Sequence, residues 1–208
     1  MPLEARMGGI FLGFLCAVAL VVVLGRLRAS QPPSGALGLA CWALIALTGV
    51  DGLNAFLFDG GLPHLYTPNT ALRLLTGLGA GLGVALMAVP VVAGVVWSQP
   101  RDEASIEDPI ELVAGLALCG LVGALALAGV GVLLWPMALA MLAGVIVAFG
   151  VANLYVVVLA TGRIRQAVTL ANLRGGLLAS LGLALLEVAA LSELRSFLVS
   201  TFGFSWGA

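Results

Sequence analysis

From Met7 to Gly25 no charged residue interrupts the chain, and apolar runs of similar length recur five more times before the C-terminus. A bilayer hydrocarbon core about 30 Å thick is crossed by roughly 20 apolar residues in a helix. Six segments meet that requirement, at about 7–27, 36–58, 70–97, 109–134, 136–160 and 168–198. The expected fold class is therefore all-α, a polytopic transmembrane helical bundle of six helices. Hydrophobic residues make up 62% of the chain and charged residues 9%, where a soluble domain has about a quarter charged. Too little polar surface is left to keep such a chain in water, so the lipid bilayer is its first partner. Arg6 ahead of an apolar stretch has the outline of a secretory signal, but the run is too long for a signal core and no small-residue cleavage site follows. It reads as the first spanning helix.

The breaks between segments have chemical causes. Gln31-Pro32-Pro33-Ser34-Gly35 cannot continue a helix, Gly60-Gly61-Leu62-Pro63 ends the second, and Thr67-Pro68-Asn69-Thr70 supplies a cap for the third. Asp108-Pro109-Ile110-Glu111 combines an Asp cap, Pro at the first helical position and Glu at the third, a capping-box variant. Trp135-Pro136 is expected to make the tight re-entry between the fourth and fifth helices. The polar linker before Pro109 reads as aqueous and, with Glu111, holds half of the acidic residues. The chain thus divides into a three-helix half at 1–98, the linker at 99–108 and a second half at 109–208. A shift of 101 positions lays one half over the other, aligning Gly49-Val50 with Gly150-Val151 and Leu72-Arg73 with Leu173-Arg174. Three helices per half would make this an inverted repeat, an architecture many transporters use.

All nine basic residues are arginine. Arg26, Arg28, Arg101, Arg163 and Arg165 fall in the first, third and fifth loops, against Arg6, Arg73 and Arg195 on the other side. The positive-inside rule then places the odd loops in the cytoplasm and both termini on the outer face of the cell membrane. A net charge of −1 offers no basic face for nucleic acid. Cys16, Cys41 and Cys119 stand alone in apolar runs without disulfide or zinc spacing, and read as small packing residues.

Charges inside a bilayer cost a few kcal/mol each and need an explanation. Asp51, Arg73 and Glu187 are the main cases, all in the outer half of the membrane. Asn54 and Thr48 lie one turn either side of Asp51. One polar cluster is expected, comprising Asp51, Asn54, Arg73 and Glu187, with Asp51 paired to Arg73 and Arg195 as an alternative partner for Glu187. Its functional reading is a substrate or proton site between helices; its structural reading is a set of ion pairs that lock helix register. Asn153 reads as an interhelical hydrogen bond. Gly77, Gly79, Gly81 and Gly83 form two overlapping GxxxG patterns, which let helices approach closely; without a preceding strand they are no dinucleotide fingerprint. His64 is the one histidine and reads as a polar loop residue. No metal, cofactor or catalytic constellation can be assembled.

Three stretches carry a family resemblance: Pro2-Leu3-Glu4-Ala5-Arg6-Met7-Gly8-Gly9-Ile10-Phe11-Leu12-Gly13-Phe14, then Asp51-Gly52-Leu53, then Asn69-Thr70-Ala71-Leu72-Arg73-Leu74-Leu75-Thr76-Gly77. Over roughly residues 2–90 the chain resembles a bacterial and archaeal membrane family known as domain of unknown function 2085. Members have Pro-Leu-Cys-x-Arg-Cys-x-Gly before the first helix, Asp-Gly in the second and Asn-x-x-Arg-x-x-x-Gly opening the third. Here the two cysteines are replaced by Glu4 and Met7, and the upstream Cys-His stretch is absent. Asp51, Asn69 and Arg73 are kept, so the resemblance implies an Asp51–Arg73 pair between helices two and three as part of the scaffold, and it brings no established activity with it. The functional expectation is a non-enzymatic accessory or scaffold subunit of a larger membrane complex, beside other subunits or as a homo-oligomer. The alternative is a small transporter or channel built on Asp51, Arg73 and Glu187, and a third possibility is an intramembrane enzyme acting on lipid.

Overall fold

A computed structural model describes residues 5–202, apart from the side chains of Arg195 and Phe202. The order is α1 (Ala5–Val23), β1 (Ala29–Gln31), α2 (Gly35–Asp59), α3 (Thr70–Val96), β2 (Arg101–Ala104), α4 (Pro109–Leu127), α5 (Leu134–Ala160) and α6 (Arg174–Phe202), with short 3₁₀ turns leading into α5 and α6. Among the described residues six helices are long and apolar enough to cross a membrane. Local chemistry sets their starts. Asn69 accepts the Leu72 N–H at 2.7 Å, and Asp108 with Glu111 forms a complete capping box, so orphan N–H groups are satisfied at both helix origins.

Two expectations need correction. The break between α4 and α5 precedes Trp135-Pro136: α4 ends at Leu127, and the chain reverses at Gly129, whose φ of +66° suits glycine. Trp135 and Pro136 fall in the first turn of α5, where the N–H that proline lacks has no intrahelical partner to lose. The linker before Pro109 is not simply aqueous either. Its β2 strand pairs in parallel with β1, and Ser105 and Ile106 beyond it are fully buried, the Ser105 hydroxyl donating to the Leu86 carbonyl at 2.7 Å. The first and third loops are thereby tied together. The fifth joins them through Ser98 N–H to Ala167 O (2.9 Å) and Arg165 N–H to Val95 O (2.7 Å), so the three odd loops form one cap at one end of the bundle.

Helix α3 is the axis. Leu74, Leu78, Leu82 and Leu86 are buried to within 1% of full burial, and its glycines face two different neighbours. Gly77 and Gly81 meet Gly9 and Gly13 of α1 backbone to backbone: a Cβ on Gly81 would overlap the Ile10 carbonyl, one on Gly77 the Arg6 carbonyl, and one on Gly13 the Leu78 carbonyl. Gly79 and Gly83 face Leu44 and Cys41 of α2. Without a hydrophobic force between helices in lipid, close packing of this kind supplies the association. Gly144 of α5 comes equally close to the Phe11 carbonyl, and the Cys119 thiol of α4 donates to the Leu78 carbonyl of α3 at 3.9 Å. The halves pack differently. α1 lies along α3, whereas its counterpart α4 packs on α3 and α1, and α6 takes its main contacts from α5. Shared element order does not extend to shared packing.

The clasp predicts that Gly81→Val lowers thermal stability in detergent by at least about 1–3 kcal/mol, the usual cost of overpacking. Gly120→Ala, where nothing lies within 4 Å, should leave the melting curve in place. Equal melting of the two variants would remove glycine packing as the basis of the α1–α3 contact.

Candidate functional site

The α1–α3 clasp brings the first turn of α1 beside the C-terminal part of α2, and this decides which charges meet. Arg6, not Arg73, is the ion-pair partner of Asp51. Its Nη2 donates to Asp51 Oδ2 at 2.8 Å and its Nε to the same oxygen at 3.2 Å, while Nη2 also reaches the Asp51 carbonyl at 3.3 Å. The guanidinium lies against Gly52, where an added Cβ would meet Arg6 Nη1 at an ordinary 3.6 Å contact. Tyr66, from the loop between α2 and α3, donates its hydroxyl to Asp51 Oδ1 at 2.8 Å. Asp51, 1% exposed, thus has both carboxylate oxygens engaged. Arg73 is half-buried and near enough for its charge to attract Asp51, but Arg6 holds the direct contacts. The expected pairing fails because Arg6 arrives from a third helix.

Asn54 belongs to the same cluster and anchors its lid. Its side-chain carbonyl accepts the N–H groups of Leu65 (2.8 Å) and Tyr66 (3.3 Å), and its amide donates to the Tyr66 carbonyl at 2.8 Å. One turn deeper, Thr48 donates to the Thr76 carbonyl on α3 at 2.6 Å. His64 stays in the exposed loop with its ring edge on Phe58.

Glu187 is elsewhere. It sits half-buried on α6 and accepts a hydrogen bond from the Asn153 amide of α5 at 2.8 Å. Because α6 packs on α5, away from α2, the single cluster that the sequence suggested divides into two sites. Arg195, the alternative partner of Glu187, has a side chain outside the described residues. Gly77, Gly79, Gly81 and Gly83 all line helix contacts within the chain.

Two members were missed at the sequence level, Arg6 and Tyr66. The signal for Arg6 was legible: Gly9-x-x-x-Gly13 matches Gly77-x-x-x-Gly81, and pairing the two faces puts Arg6 at the level of Gly77. Tyr66 depends on how a loop closes, for which the sequence carried no comparable cue.

With six spanning-length helices and charges paired between them, the chain is a multi-span membrane protein. Its residues 1–87 match the model of a family described as "Predicted membrane protein (DUF2085)". No curated protein and no solved structure matches the chain. The matched stretch takes in α1, α2 and most of α3. Arg6, Gly9, Asp51, Gly52, Asn69, Arg73 and Gly77, which carry the resemblance, gather at one end of these helices. Pro2, Leu3 and Glu4 of the first motif lie outside the described residues.

Tyr66 reports on the cluster. Burial raises its pKa, and the hydrogen bond to Asp51 and that carboxylate's charge raise it further. The folded state therefore holds the phenolic proton more tightly than the unfolded chain. That stabilisation is complete below the ordinary tyrosine value of about 10 and is lost as pH rises through the higher folded value. In an ultraviolet titration, Asp51→Asn should move one phenolate transition to lower pH, and Tyr66→Phe should abolish that transition. An unchanged titration in Asp51→Asn would contradict the contact.

Proposed function

We propose that this protein is a non-enzymatic integral membrane subunit, an accessory or scaffold element that packs against other membrane proteins or its own copies. The observation that carries this reading is the full engagement of the Asp51 carboxylate by Arg6 and Tyr66: a buried carboxylate with both oxygens taken is suited to holding helices in register rather than to turning over a substrate. The second half supports it from another side. α6 rests mainly on α5, and Leu178, Leu186 and Phe197 point outward at 70%, 68% and 59% exposure, an apolar surface available to lipid and to partner helices alike. Arginine bias favours an arrangement with the odd-loop cap in the cytoplasm and both termini outside.

Purification from native membrane in mild detergent tests the proposal. Defined partner polypeptides, or a stable homo-oligomer, are expected to co-elute with the chain; recovery only as a monomer would sink the subunit reading.

One observation favours a transporter or channel instead. Glu187 lies within a spanning helix, and its hydrogen bond comes from a neutral amide, with no arginine in ion-pair range among the described side chains. An intramembrane carboxylate so placed is a candidate proton or cation site. On that reading Glu187→Gln abolishes flux into proteoliposomes while Asp51→Asn acts through stability; equal flux in wild type and Glu187→Gln would remove it.

A further inference from the structure

The odd-loop cap contains a feature that neither the helix clasp nor the carboxylates use. Between the ends of α1 and α3 and the entry to α6 lies an open pocket of about 350 Å³, lined by Gly25, Leu27, Arg28, Trp97, Arg101 and Thr169 among others. Its volume falls within the range of about 300–1,000 Å³ typical of small-ligand sites. Arg28 is set in place from two sides: its Nη2 donates to the Val168 carbonyl at 2.8 Å, and its guanidinium lies 4.7 Å from the centre of the Trp97 ring. Trp97 is itself fixed, its Nε1 donating to the Leu27 carbonyl at 2.9 Å.

These contacts orient Arg28 without neutralising it. The nearby Arg26 is paired with Glu107 and Glu111, whereas Arg28 has no carboxylate partner among the described residues. A guanidinium has five N–H donors in a planar fork, most of them still available here. Arg101, at the same pocket, has a 60% exposed side chain and a long 3.5 Å contact with Glu103, weak enough to yield to a stronger anion. Leu27 and Leu170 offer apolar surface at the edge, with 37% and 59% exposure. The pocket lies where the spanning helices end, the depth at which lipid phosphates reside.

We propose that this pocket binds the phosphate of an anionic membrane lipid, with Arg28 and Arg101 holding the phosphate oxygens and Leu27 and Leu170 flanking the start of the acyl chains. Two forked cations suit a phosphodiester, and basic pockets at the cytoplasmic ends of helices are recurrent lipid-headgroup sites. A soluble phosphate would use the same two arginines but none of the apolar rim.

Native mass spectrometry of the full-length protein with phosphatidylglycerol, phosphatidylcholine or inorganic phosphate separates these sources. Wild type is expected to retain phosphatidylglycerol over phosphatidylcholine. Arg28→Gln and Arg101→Gln should each weaken that retention roughly tenfold, the loss of one charge-assisted contact, while Arg163→Gln, outside the pocket, should not. Arg101 serves as the control for folding, because its exposed side chain can be removed without disturbing the cap, as a melting curve would verify. Equal retention of the two lipids, or wild-type retention in both pocket variants, would overturn the proposal. Tight inorganic phosphate binding lost in both variants, without lipid preference, would overturn the lipid assignment in favour of a soluble phosphate.

Discussion

The contact between α1 and α3 governs the rest of the molecule. Gly9 and Gly13 on one helix and Gly77 and Gly81 on the other bring two backbones so close that carbonyl oxygens occupy the space where side chains would start. In water a hydrophobic core could have held these helices at a wider spacing. In hydrocarbon apolar side chains gain nothing by leaving the solvent, and shape complementarity between small residues takes over. The clasp fixes the height of Arg6, which fixes its meeting with Asp51, and that ion pair with Tyr66 closes the α2–α3 loop over the end of the bundle.

Several polar side chains sit at joints between elements: Asp51 joins α2 to α1 and to a loop, Thr48 joins α2 to α3, Ser105 joins the third loop to α3, and Asn153 joins α5 to α6. Removing one partner of a buried pair leaves the other uncompensated, which is why such joints specify register even where they add little net stability. The two halves differ in how tightly they are joined. The first is sealed by glycine on two faces of α3; the second hangs on it through α4 and α5, with α6 outermost.

Much of the fold was readable from the sequence because spanning a bilayer is a length problem, and length is visible. Asn69 and Asp108 marked helix starts because unsatisfied N–H groups have few alternative partners. The α4–α5 break was misplaced because proline is a stronger signal to the eye than Gly129, although proline is tolerated in a first turn and glycine is what the reversal needed. The site was only partly legible. Asp51 and Asn54 were found from their cost in lipid, but pairing Asp51 with Arg73 assumed that adjacent helices in sequence settle their charges together. Helix α1 intervened, through a glycine match that spans some seventy residues of chain. Glu187 was misassigned for a related reason: membrane depth alone says which groups share a level, not which helices share a face.

The Arg6–Asp51 contact is the most direct test of this account. A double-mutant cycle of unfolding free energies in detergent, using Arg6→Gln with Asp51→Asn and, in parallel, Arg73→Gln with Asp51→Asn, measures which arginine is coupled to the carboxylate. The structure predicts a coupling above about 1 kcal/mol for Arg6, and a clearly smaller one for Arg73. Coupling that is strong for Arg73 and absent for Arg6 would mean that α1 does not reach Asp51, and the clasp from which the whole arrangement follows would be wrong.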